Sequence, residues 1–84
     1  MNKDTIEKIL LNYILKKSDI SEISQIPLDQ SLLATGVLDS FGIIELVEFI
    51  ESNWDITIED NEFTLEKMGS VKKMIDLIIT KIPK

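Results

Sequence analysis

The sequence predicts an all-α protein, a compact bundle of three main helices plus one short helix, with a long loop between helices one and two. Three observations carry that reading. The chain has 84 residues, 44% hydrophobic and 29% charged, the size and balance of one globular domain spanning residues 1–84. Apolar residues recur at helical spacing in three separate segments, whereas strict alternation is confined to Ile56-Thr57-Ile58, too short and unpartnered for a sheet. Between the first two helical segments, residues 18–39 keep no sustained period and contain Pro27 and Gly36.

Helix one runs from Asp4 or Thr5 to about Lys17, carried by Ile6, Ile9, Leu10, Tyr13 and Ile14. Asp4 and Thr5 are its cap candidates, and Lys16 and Lys17 stand in the last turn, where cations suit the helix dipole. In the following loop, Asp29-Gln30-Ser31-Leu32-Leu33 suits a single helical turn. The loop's apolar residues, Ile20, Ile23, Ile26, Leu28, Leu32, Leu33, Val37 and Leu38, suggest that it is pinned across the helices. A connection of this length in so small a domain is unusual, and marks either a misassigned element or a functional loop. Helix two starts after Asp39-Ser40 and continues to about Asn53, with Ile43, Leu46, Val47 and Ile50 on one stripe and Trp54 extending it. At about 100° per residue, Phe41, Glu45, Glu48, Ser52 and Asp55 fall on the opposite side, with Ile44 and Glu51 at the border. Glu59-Asp60-Asn61-Glu62 fits one short helical turn. Val71, Met74, Ile75, Ile78 and Ile79 define a last helix from about Ser70 to Lys81, and Pro83 prevents its continuing. Tyr13, Trp54, Met68 and Met74 are assigned to the core rather than to a cofactor.

Composition removes most familiar chemistry. Cysteine and histidine are both absent, which excludes disulfides, Cys/His metal sites, thiol nucleophiles and every Ser-His or Cys-His pair. A chain this short builds one core but no deep substrate cleft, so it reads as a non-enzyme without catalytic residues. Arginine is also absent, and residues 18–66 hold twelve acids and no lysine, while the two ends hold three acids and nine lysines. Such a middle repels phosphate backbones, so nucleic acid is not an expected partner. The acids suggest either a solvated face or a docking surface for basic partners. A calcium site is disfavoured, because Asp55 to Glu66 lacks the alternating ligands and central glycine of an EF-hand loop. No apolar run approaches the roughly 18 to 20 residues that span a bilayer, and the first residues lack a signal-peptide pattern. The expectation is a cytoplasmic monomer without metal or membrane insertion.

The residues that carry chemistry stand at the start of helix two. Ser40 follows Asp39 directly, with Gly36 and Gly42 flanking the junction. The simplest role for such a serine is the N-cap, its hydroxyl accepting a backbone N–H one turn in. The alternative is an attachment point for a phosphate-containing group, which would lie at the positive end of the helix dipole. No histidine is present to make Ser40 a nucleophile, but modification by another enzyme needs no internal base. An unmodified acidic helical adaptor, binding partners through helix two, is the competing function.

The string Leu32-Leu33-Ala34-Thr35-Gly36-Val37-Leu38-Asp39-Ser40-Phe41-Gly42-Ile43-Ile44-Glu45-Leu46-Val47 resembles the signature of the acyl carrier and peptidyl carrier proteins, whose serine receives 4'-phosphopantetheine from coenzyme A. The resemblance covers nearly the whole chain, from the first helix through the Asp29-Gln30-Ser31-Leu32 anchor to the final helix opening near Gly69-Ser70-Val71. It implies that Ser40 bears the covalent phosphopantetheine, that Asp39 and Gly36 stand at the family's aspartate and turn glycine, and that the carried group rides as a thioester. Asp39-Ser40-Phe41-Gly42 is similar to D-alanyl carriers and some stand-alone aminoacyl carriers. The implied partners are a phosphopantetheinyl transferase, an acyl- or aminoacyl-loading ligase or transferase, and downstream synthase enzymes of fatty acid, polyketide, peptide or related biosynthesis. These enzymes would recognise helix two through Phe41, Ile44, Glu45, Glu48 and Asp55.

Overall fold

The computed structural model describes residues 2–64 and 68–82. It is all-helical: α1 spans Lys3–Lys17, α2 Ser40–Trp54 and α3 Val71–Lys81, with 3₁₀ turns at Ile23–Gln25 and Asp60–Glu62. No strand occurs among the described residues. None of the described helices is long and apolar enough to cross a membrane.

α1 begins at Lys3, one or two residues before the expected start at Asp4 or Thr5. Asn2 is extended and its side-chain oxygen accepts the Thr5 N–H at 2.9 Å, so the cap is the asparagine and Asp4 becomes a favourable acid in the first turn. Ile6, Leu10, Leu11 and Ile14 are buried, while Ile9 and Tyr13 are half-buried. α3 is capped by the buried Ser70, whose hydroxyl oxygen accepts the Lys73 N–H at 3.2 Å. It buries Val71, Met74, Ile75, Leu77 and Ile78, with Ile79 at the margin. Leu77 was not expected inside; its neighbours Asp76 and Thr80 are exposed, and the buried arc is wider than a narrow stripe. Pro83, assigned as the stop, lies outside the described residues, as do Leu65 and Glu66.

The loop is built as much as the helices are. Ile26, Leu32 and Leu38 enter the core, Ile20 and Val37 are half-buried, and Ile23, Leu28 and Leu33 face outward. The helical turn expected from Asp29 begins instead at Ser31: its hydroxyl accepts the Ala34 N–H at 3.0 Å and its carbonyl accepts the Thr35 N–H at 3.0 Å. The turn at Ile23–Gln25 was not anticipated. It is closed by reciprocal capping between Glu22 and Gln25 and has no apolar period to announce it. One main-chain bond, from the Lys72 N–H to the Leu28 carbonyl at 2.8 Å, ties the loop to the first turn of α3 and satisfies a donor that the helix leaves free.

α2 buries Leu46, Val47, Ile50 and Trp54, whereas Ile43 is only half-buried. Phe49, absent from the expected stripe, stacks on Tyr13 with centroids 4.2 Å apart and meets Trp54 edge-on at 6.2 Å, joining α1 to α2. The helix ends at Asp55, which adopts a left-handed conformation at φ 55°. The Glu51 carbonyl accepts the Asp55 N–H and the Ile56 N–H, and the Glu51 carboxylate accepts the Ile58 N–H at 2.8 Å. This reversal explains the alternation at Ile56-Thr57-Ile58 without a sheet: the extended segment lays Ile58 into the core and leaves Thr57 outside. Beyond it, Glu62 pairs with Lys81 at 2.8 Å.

Candidate functional site

The candidate site is the junction at which the loop becomes α2. Gly36 has φ +80°, and a Cβ built there meets nothing within 4 Å. Glycine suits this position through its backbone conformation rather than through lack of space. Its N–H donates to the Leu33 carbonyl at 3.2 Å, and the Leu38 N–H donates to the Leu32 carbonyl at 3.2 Å. Leu38 is 4% exposed, so the residue two before Ser40 is a core anchor.

Asp39 is extended, with φ −87° and ψ −178°, and its Oδ1 accepts the Gly42 N–H at 2.8 Å. Asp39 is therefore the N-cap and Ser40 the first helical residue, which corrects the simplest reading of Ser40 as the cap. The Ser40 side chain is exposed and its hydroxyl is not engaged in capping. Gly42 has a different role from Gly36. A Cβ there would lie 3.3 Å from both Cβ and Cδ2 of Leu38 and 3.4 Å from Oδ1 of Asp39. The bare backbone lets the buried leucine and the capping carboxylate close onto the helix.

The surface around this junction is apolar and acidic. Phe41 is 70% exposed and Ile44 50% exposed, so neither the ring nor the isoleucine contributes much to the core. Glu48 and Asp55 are exposed as expected, but Glu45 is half-buried and does not stand on the open outer face. It lines a groove of about 530 Å³ between the end of α1 and the start of α2, with Lys17, Asp19, Ile20, Val37, Asp39, Phe41 and Gly42. The helical projection of α2 alone cannot reveal that groove, because its other wall comes from the segment after α1. On the opposite flank, a smaller cavity of about 170 Å³ is lined by Leu32, Leu33, Ile43, Phe63 and Met68 among others. Leu33 and Phe63, both about half exposed, extend the apolar surface beyond α2. Sequence reasoning missed this role, since loop apolar residues carry no periodic signal. Another hollow, about 570 Å³, lies between α1, α3 and Leu28-Asp29 and includes none of the residues around Ser40. Among the described residues no cluster of three or more acidic side chains is arranged to hold a metal ion.

No family model matches the chain. It is similar to several curated proteins. Over 77 residues it is 35% identical to a protein described as a D-alanyl carrier protein from Streptococcus suis, a match covering 92% of this chain and 90% of the relative. Proteins with the same description from Streptococcus uberis and Streptococcus mutans are 31% identical over 74 residues, covering 86% and 89% of the two chains, and 34% identical over 58 residues, covering 69% and 68%.

Proposed function

The chain belongs to the D-alanyl carrier protein family, and on that premise we propose that it carries an aminoacyl group as a thioester on a 4'-phosphopantetheine arm attached to Ser40. The observation that carries the proposal is the division of labour at the start of α2. Asp39 caps the helix, leaving an exposed serine hydroxyl at its positive end. A phosphodiester there is favoured by the helix dipole and by the unpaired N–H groups of the first turn. When bound, the group supplies the flexible thiol that a cysteine-free chain lacks.

Attachment joins Ser40 Oγ to the phosphorus of coenzyme A's pantetheine phosphate and releases the adenosine bisphosphate, with the hydroxyl proton passing to the transferase. The chain contributes position: Gly36 turns the loop, Leu38 anchors it, and Asp39 and Gly42 set where the helix begins. Phe41 and Ile44 offer apolar contacts beside the serine, while Glu45, Glu48 and Asp55 supply a field that draws basic partner surfaces. The partners would be a phosphopantetheinyl transferase, a ligase that activates the amino acid, and an enzyme that accepts it. The relatives' description makes D-alanine the first cargo to test, ahead of fatty acyl and polyketide groups.

Intact-mass measurement after incubation with coenzyme A, Mg²⁺ and a broad-specificity phosphopantetheinyl transferase tests the attachment, and a second incubation with ATP, D-alanine and a D-alanine-activating ligase tests the cargo. The wild-type protein should gain one phosphopantetheine and then one alanyl group, and Ser40→Ala neither. Uptake by Ser40→Ala overturns the site. A wild-type protein that stays unmodified overturns the carrier reading in favour of an unmodified adaptor.

A further inference from the structure

Two hollows of different character border the start of α2. The larger is the groove of about 530 Å³, lined by both chain neighbours of Ser40, Asp39 and Phe41. Its carboxylates are Asp19, Asp39 and Glu45 and its cation is Lys17, which leaves it at about −2 by direct count. Its apolar lining comes from the half-buried Ile20 and Val37 and the exposed Phe41. Asp39 is engaged as the helix cap, whereas Asp19 and Glu45 form no ion pair among the described residues. The smaller hollow, about 170 Å³, is lined by Leu33, Ile43 and Phe63 and has no charged residue in its described lining.

We infer that the larger groove receives the arm on Ser40 once it is loaded, and that it distinguishes an aminoacyl group from other cargo by the charge of the α-ammonium. The inference rests on the carrier reading and adds to it a resting place on this chain for the cargo between enzymes. Size and polarity decide between the two hollows. Sites that enclose a small organic ligand measure about 300 to 1,000 Å³; the groove falls within that range and the small cavity below it. A pantetheine arm also carries amides and a hydroxyl, which an uncharged apolar cavity would leave without partners at a cost. Charge then selects the cargo. The loaded arm has an anion at its root, the phosphodiester, and a cation at its tip, because an α-amino group is largely protonated at neutral pH. The groove offers the opposite of each, Lys17 for the anion and Asp19 and Glu45 for the cation. A fatty acyl or polyketide group has no such cation and gains nothing from these carboxylates.

The test compares backbone amide NMR shifts of the ¹⁵N-labelled chain bearing two arms that differ only in that charge. A broad-specificity transferase attaches them from coenzyme A analogues in which the thiol is replaced by an amine acylated with D-alanine or with propionate, so that the cargo is not lost to hydrolysis. Intact mass confirms complete attachment, and spectra are taken at low salt and about pH 6, where the α-amine is charged. The D-alanyl form should shift the Ile20 and Val37 amides relative to the propionyl form and leave those of Leu33 and Phe63 in place. The double variant Asp19→Asn, Glu45→Gln, with its fold confirmed by thermal unfolding, should lose most of that difference, as should the wild type at high salt. Differences confined to Leu33, Ile43 and Phe63, identical spectra for the two cargoes, or an undiminished difference in the double variant would each overturn the groove assignment while the carrier reading stands. A wild-type chain that takes up no phosphopantetheine overturns both.

Discussion

Replacing Asp39 and Ser40 one at a time separates capping from attachment. Asp39→Ala removes the acceptor of the 2.8 Å bond from the Gly42 N–H and with it the anion at the positive end of α2. Loss of such a cap costs about 0.5 to 2 kcal/mol. In a domain of this size each kcal/mol lowers Tm by about 4–8 °C, so a mid-range loss of about 1 kcal/mol is readily measured. Ser40→Ala removes an exposed hydroxyl that does not cap, and alanine is the better helix former. Its stability should stay within about 0.5 kcal/mol of wild type. Thermal unfolding followed by circular dichroism, with the fluorescence of the buried Trp54 as a second probe, gives both values. Intact mass after treatment with coenzyme A and transferase then completes the contrast: Ser40→Ala is stable and unmodifiable, whereas Asp39→Ala is less stable and keeps its serine. A fall in Tm for Ser40→Ala as large as that for Asp39→Ala would refute the assignment of the cap.

Gly36→Ala should lose about 1 to 2 kcal/mol in urea unfolding, because a non-glycine residue at φ +80° is strained even where nothing crowds its Cβ. Gly36→Asn should lose less, since asparagine tolerates that conformation, and equal losses would point to a steric cause instead. On α2, Leu46→Ala should cost about 2 to 5 kcal/mol and Ile44→Ala less than about 0.5, since Leu46 is fully buried and Ile44 half exposed. Similar losses for the two would mean that the buried face of α2 is misassigned.

The three α-helices were legible because burial of apolar side chains dictates their spacing, and α1 and α3 end within a residue or so of where period and caps put them. What the period of one helix cannot encode is what covers its polar arc. Glu45 reads as outward on α2 alone, yet it is half-buried and lines a groove shared with Asp19 and Ile20 from the segment after α1. Ile43 reads as core and is half-buried, since in the first turn of α2 it sits at the rim of the bundle, next to the small cavity under Leu33 and Phe63. Phe49 stands outside the main stripe of α2, and only its stacking partner Tyr13, on α1, shows why an aromatic stands there.

The start of α2 is the sharper case. Asp39 and Ser40 are both good caps, so the sequence admits either as the residue where helical conformation begins. A helix starting one residue later would turn the Ser40 hydroxyl back onto a backbone N–H and leave Asp39 outside as a loose anion. The choice is made by tertiary contacts: Leu38 is held in the core and bonded to Leu32, and Gly42 leaves room for the Asp39 carboxylate to close. The register of one residue therefore decides whether the serine is a structural acceptor or a hydroxyl offered to another enzyme, and it is the loop, through Leu32 and Leu38, that sets that register.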